Sequence, residues 1–167
     1  MVLLQPDLEL ILSNVLAECL RTRSTRLYEL LYLMRQFGFR YNEVEHVTHA
    51  VADGNGNLIW ETSKNNNPRL IPIAQLRQMV LLSNQDRVNY MGVQSYRTVE
   101  RFFDDNHQYS KITCKGKDIG THLFRHVYIK NLYLNGMTSL QVLALTGLKN
   151  TRVAEGYRDS IIEGFNY

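Results

Sequence analysis

The stretch Leu27-Tyr28-Glu29-Leu30-Leu31-Tyr32-Leu33-Met34-Arg35-Gln36-Phe37-Gly38-Phe39-Arg40-Tyr41-Asn42-Glu43 decides the architecture. Leu27, Tyr28, Leu30, Leu31, Leu33, Met34 and Phe37 leave almost no polar face at helical spacing. A helix apolar nearly all round is a central, buried one. It is not a bilayer span, because Glu29 breaks the run well short of the ~20 apolar residues that crossing requires. Gly38 stands where a left-handed C-terminal cap belongs. Arg40 follows it, with Glu43 three residues on, a spacing at which a carboxylate can hold a guanidinium in one orientation. Taken alone, an Arg-x-x-Glu pair is most often a surface ion pair.

On the N-terminal side, Leu8, Ile11, Leu12, Val15, Leu16 and Cys19 share one face of another helix, and Pro6 and Asp7 suit its first turn. The opening MVLLQPDLEL has neither a basic n-region nor a small-residue cleavage site, so it does not read as a signal peptide. On the C-terminal side the texture changes. Val44–Ala52 and Leu58–Thr62 flank Asp53-Gly54-Asn55-Gly56-Asn57, a run tolerant of positive φ and therefore a hairpin signal. Arg69–Ile73 reads as a third short strand, and residues 74–103 return to helical patterning, with Ser95–Phe103 as their second part. Asp104–Gly120 reads as a polar connection carrying Lys111, Lys115 and Lys117. Three short helices follow: His122–Asn135 ended by Gly136, Ser139–Thr146 opened by a Thr138/Gln141 capping box and ended by Gly147, and a last one capped by Asn150 and running through Tyr157. The expected fold is mainly α with a small antiparallel three-stranded sheet, in one domain over residues 1–167.

Composition narrows the function without naming it. The hydrophobic content of 44% and charged content of 21% are those of an ordinary globular protein, which excludes disorder and coiled coil. A net charge of +3 favours an anionic partner only mildly. Cys19 and Cys114 are too few for a disulfide framework and read as free thiols of a reducing cytoplasm. The histidines, His46, His49, His107, His122 and His126, show no zinc-ligand spacing with cysteine or carboxylate, and no metal site is read.

Two further features carry chemistry. His122 and Arg125, in His122-Leu123-Phe124-Arg125-His126, share a face at the start of a helix, where first-turn N–H groups favour an anion. The tail Thr146-Gly147-Leu148-Lys149-Asn150-Thr151-Arg152-Val153-Ala154-Glu155-Gly156-Tyr157 places a tyrosine some ten residues after a helix-ending glycine. Each alone is common: His-x-x-Arg carries little information, and this is one tyrosine among 10.

In order, however, these pieces resemble the catalytic domain of the tyrosine recombinases, the phage integrase family. Gly38, Arg40 and Glu43 match the family's first box. Thr62-Ser63-Lys64 followed by Pro68-Arg69-Leu70-Ile71-Pro72-Ile73 is similar to its lysine-bearing hairpin. His122, Arg125 and His126 match the His-x-x-Arg-His box, and Gly147 with Tyr157 matches the tyrosine segment; the resemblance covers roughly residues 5–160. It implies site-specific DNA recombination, as in the integration of mobile elements, with Tyr157 attacking a phosphodiester to leave a 3′-phosphotyrosyl bond and a free 5′-hydroxyl. Arg40 and Arg125 would clamp the non-bridging oxygens, Lys64 would protonate the leaving oxygen, and His122 would accept or position the tyrosine proton. Glu43 and His126 would support these groups, and Lys111, Lys115, Lys117, Lys149 and Arg152 would contact DNA phosphates. No metal or other cofactor is implied.

The implied partners are double-stranded DNA and further copies of the chain, a tetramer on DNA and a monomer without it, with no membrane; the implied setting is the cytoplasm, for a bacterial or phage-encoded protein acting on the nucleoid. The family's N-terminal core-binding domain is expected to lie outside this chain, which is then a trimmed or naturally shortened relative. One position departs from the pattern: Leu148 stands where the family has His or Trp, and leucine donates no hydrogen bond to phosphate. Lys149 and His126 are the candidates to compensate. This departure keeps open a catalytically weak or silent DNA-binding relative with an accessory or regulatory role; a type IB topoisomerase-like nicking enzyme fits the spacing less well. After Tyr157, Ile161, Ile162 and Phe165 could anchor the tail on a neighbouring subunit or on their own domain.

Overall fold

A computed structural model describes residues 1–40, 51–52, 55, 57–60, 69–72, 96–106, 109 and 111–164. Helix α1 spans Gln5–Arg21 and α2 Thr25–Phe37; strands β1 (Val51–Ala52), β2 (Asn57–Trp60) and β3 (Arg69–Pro72) follow, then α3 (Tyr96–Asp105). Strands β4 (Thr113–Cys114) and β5 (Lys117–Asp118) precede α4 (His122–Leu134), α5 (Ser139–Thr146), α6 (Thr151–Asp159) and β6 (Ile162–Glu163). The described residues are thus mainly helical, with small antiparallel sheets. Residues 44–50 of the expected hairpin and 74–95 of the expected helix lie outside them.

The helices follow the sequence pattern, with Leu16 and Tyr28 only partly buried against the core. Leu8, Ile11, Leu12, Val15 and Cys19 of α1 are buried together, and the Leu4 N–H donates to the Asp7 carboxylate at 2.9 Å, which closes the first turn. In α2, Leu27, Leu30, Leu31, Leu33, Met34 and Phe37 are all buried. Gly38 caps this helix in the left-handed conformation (φ 67°, ψ 29°), its N–H donating to Met34 O. A β-carbon there would collide with Tyr128 of α4, whose Cγ would lie 2.7 Å away. Glycine is thus required both for the cap and for the close approach of α2 to α4.

Helix α4 organises the molecule. Its Leu123, Phe124 and Val127 enter a core shared with α1, α2, α3 and Ile162. Its Ile129 and Leu132 enter a second core with Val142, Leu148 and Ala154 of the α5–α6 region. A polar tie joins α1, α2 and α4: Arg35 Nη2 donates to both Glu9 carboxylate oxygens (2.6 and 2.7 Å), Asn131 Nδ2 also donates to Glu9, and Gln5 Nε2 donates to Asn131 Oδ1 at 2.8 Å.

The sheet β1-β2-β3 is antiparallel throughout, with Ile59 opposite Val51 and Leu70, as the hairpin signal predicts. Two expectations need correction. The polar connection Asp104–Gly120 is not merely a connection: β4 and β5 pair across a tight turn in which Lys115 (φ 54°) and Gly116 (φ 76°) both take positive φ. Nor is the sheet single, because β6 pairs with β4 to make a second three-stranded sheet, order β5-β4-β6. This sheet holds the tail in its own domain: Ile162 is buried in the first core, and the Leu3 N–H donates to Ile162 O at 2.8 Å. Ile161 is 59% exposed, and Phe165 lies outside the described residues. No described helix is long and apolar enough to cross a membrane.

Candidate functional site

The site is built where α4 and α6 pack. Helix α6 begins at Asn150, whose side chain accepts from the Val153 N–H at 3.0 Å, a cap legible in the sequence. Upstream, Thr138 and Gln141 close their capping box around α5, and Gly147 (φ 70°) ends it, turning the chain into α6. These local signals bring Tyr157 back over the start of α4.

There the Tyr157 hydroxyl lies 2.7 Å from His122 Nε2. The Arg125 guanidinium carbon sits 5.7 Å from the Tyr157 ring centroid, and the His126 ring meets the same ring edge-on at 4.8 Å. Two distant sequence boxes, the His-x-x-Arg-His segment and the tail tyrosine, therefore converge on one phenol. Arg125 is fully buried (0% exposed), and its Nη1 donates to Gly38 O at 2.8 Å. That bond joins the helix-capping glycine to the arginine of the His-x-x-Arg-His segment. Arg40, half-buried, lies two residues beyond the same glycine.

His126 is buried, and Nδ1 lies 3.0 Å from Ser160 Oγ. Burial drives its pKa from 6.5 down to about 3, and the neighbouring His122, Lys130, Arg125 and Lys115 add to the depression. It is therefore neutral at physiological pH, so its support of the site is that of a hydrogen-bonding ring, not a cation. Lys130, one turn further along α4, donates from Nζ to Ser160 O (2.6 Å) and Arg158 O (3.1 Å). Its amine is lowered from the ordinary lysine value, chiefly by burial.

Leu148 is buried at 0% exposure among Ile129, Leu132, Val142 and Ala154. Its N–H is bound by Thr146 Oγ1 at 3.3 Å. Leu148 is thus a core side chain. Of the two groups expected to compensate for it, His126 is committed through Nδ1 to Ser160 and Lys149 is exposed.

Lys111, Lys115 and Lys117 are exposed, the last two on the β4–β5 hairpin just before α4; Lys149 and Arg152 are exposed around the first turn of α6. Glu43 and Lys64 lie outside the described residues. Sequence reading missed Lys130 and Ser160. The signal for Lys130 was present, since His122, His126 and Lys130 recur every four residues and so share a helix face. Among the described residues, no group of three or more His, Cys, Asp or Glu side chains could hold a metal ion. Comparisons with protein-family models, curated proteins and solved structures returned no match.

Proposed function

We propose that this chain is the catalytic domain of a DNA strand-exchange enzyme of the tyrosine recombinase type, with an integrase-like fold. The observation that carries the reading is the 2.7 Å contact between Tyr157 Oη and His122 Nε2, with Arg125 beside the same ring. A phenol is a weak nucleophile at neutral pH and needs a proton acceptor within hydrogen-bond reach, about 2.6–3.2 Å.

In this reaction the Tyr157 oxygen attacks the scissile phosphorus while its proton passes to His122 Nε2. The phosphorus–5′-oxygen bond breaks, and Lys64 delivers a proton to the departing oxygen. Negative charge builds on the non-bridging oxygens, where Arg125 and Arg40 stabilise it. Anchoring Nη1 on Gly38 O fixes the plane of the Arg125 guanidinium, so little reorganisation is needed when charge develops. Attack by the 5′-hydroxyl of a second strand reverses the sequence and regenerates Tyr157. The energy of the phosphodiester is conserved in the phosphotyrosyl bond, so the exchange consumes no high-energy cofactor.

Double-stranded DNA is the substrate, held in part by Lys111, Lys115, Lys117, Lys149 and Arg152, and binding weakens as salt rises. Further copies of the chain assemble on the DNA, and the setting is bacterial or phage DNA in the cytoplasm. The test is incubation with a pool of nicked duplexes followed by denaturing electrophoresis. A covalent adduct formed by the native protein and lost in Tyr157→Phe supports the enzyme.

A second reading rests on Leu148. Its full burial supplies no donor where the family has one, which favours a slow or silent DNA-binding relative with a regulatory role. Loss of one such donor costs on the order of 10²–10³ in rate. Salt-dependent DNA binding without any adduct would select this reading.

A further inference from the structure

We propose that Lys130 and Ser160 are positioning residues that clamp the C-terminal end of α6 onto α4 and so aim the Tyr157 hydroxyl at His122. The inference rests on the reading of Tyr157 as the nucleophile and assigns a role to two residues outside the boxes that suggested it.

The geometry is a ladder. His122, His126 and Lys130 stand four residues apart on α4, and each meets the end of α6 at a different point. His122 meets the Tyr157 hydroxyl, His126 meets Ser160 Oγ, and Lys130 takes the carbonyls of Arg158 and Ser160. Ser160 is the hinge of the ladder. Its hydroxyl donates to Tyr157 O at 2.8 Å, which spends its only proton. The contact with His126 is therefore donated by Nδ1–H, which leaves the His126 ring with an acceptor at Nε2. A continuous chain then runs from His126 through Ser160 to the backbone carbonyl of the nucleophile itself.

A helix of nine residues has little stability of its own, and its last carbonyls lack intrahelical partners. At α6 those carbonyls are taken by Ser160 Oγ and Lys130 Nζ, and the chain leaves the helix at Ser160 in extended geometry (φ −62°, ψ 137°). The rotation of α6 about its axis is thereby fixed from its end. Each residue of register is about 100° of helix rotation, so a small slip swings the hydroxyl away from His122.

The experiment places 3-fluorotyrosine at position 157 of the full chain and records its fluorine resonance without DNA, with His122→Ala to define the shift that follows loss of the His122 contact. The same backgrounds are assayed for DNA affinity and for single-turnover adduct formation on nicked duplexes. Ser160→Ala and Lys130→Met are expected to move the resonance in the direction of His122→Ala. They should also slow adduct formation by on the order of 10- to 10²-fold at unchanged DNA affinity. Ser160→Thr and Lys130→Arg, which keep the donors, should restore both readouts. Should Ser160→Ala unfold, Ser160→Cys keeps the volume while weakening the bond. An unmoved resonance in the folded variants, or a moved resonance with an unchanged adduct rate, overturns the proposal. If the native protein forms no adduct on any duplex, the recombinase reading fails, and the resonance alone decides whether the clamp exists.

Discussion

Gly38→Ala tests the joint between α2 and the site. An alanine there must hold φ near 67°, in the left-handed region, at a cost of about 1–2 kcal/mol. Its β-carbon would also overlap the Tyr128 ring, with Cγ at 2.7 Å, Cε1 at 2.9 Å and Cδ1 closer still. Three ring atoms on one side cannot be relieved by moving a flexible chain end, so α4 or the ring must shift. Overpacking of this kind costs about 1–3 kcal/mol. The sum, about 2–5 kcal/mol, is a large share of the 5–15 kcal/mol typical of a folded domain. The consequence extends to chemistry, because Gly38 O is the acceptor for Arg125 Nη1. Urea unfolding followed by circular dichroism measures the loss, and the double-mutant cycle with Tyr128→Ala separates its parts. In the Tyr128→Ala background only the backbone strain remains, so Gly38→Ala should then cost about 1–2 kcal/mol. A Gly38→Ala protein within about 0.5 kcal/mol of the native one would refute the reasoning, as would equal costs in both backgrounds.

Further outcomes follow from the same geometry. Arg125→Ala should slow adduct formation by on the order of 10³-fold, and a native rate in that variant would end its assignment to the phosphate clamp. Leu148→His should lower the melting temperature, since it puts an imidazole into an apolar core, yet raise the rate of adduct formation; an unchanged rate would mean that another group already donates there. His126, with a pKa near 3 in the folded chain against 6.5 unfolded, binds more protons in the unfolded state between those values. Its contribution to stability is therefore complete above about pH 6.5 and falls as pH drops toward 3, by at most about 1.4 kcal/mol per pH unit. Urea midpoints from pH 7 to pH 5 should fall less steeply in His126→Gln, and parallel profiles would contradict the buried neutral ring.

What was legible in the chain was local. The left-handed cap at Gly38, the Thr138/Gln141 box and the Asn150 cap each act within a turn, so neighbouring residues announce them. The one-sided face of α1 announces its own burial in the same way. The second sheet was illegible for the opposite reason. Its strands are two residues long, too short to show alternation, and Cys114 finds its partner at Ile162 across almost fifty residues of sequence. The site shows the same division. His122, Arg125 and Tyr157 were readable as a pattern, and the structure brings them to one phenol. The burial of Arg125, its bond to Gly38 O, and the grip of Lys130 and Ser160 on α6 depend on how two helices cross, which no local spacing encodes. In the sequence alone Leu148 is a missing donor; its place in the core explains what the leucine does there instead.

The most direct test of the central claim is the chemical identity of the bond to DNA. The protein would be incubated with nicked duplexes, the denatured adduct digested, and the peptide carrying nucleotide mapped by tandem mass spectrometry. A phosphodiester from Tyr157 Oη to a DNA 3′-end, with a free 5′-hydroxyl on the departing strand and no adduct from Tyr157→Phe, is the predicted result. Linkage through another residue or to a 5′-end would contradict the account, as would salt-dependent DNA binding with no covalent product.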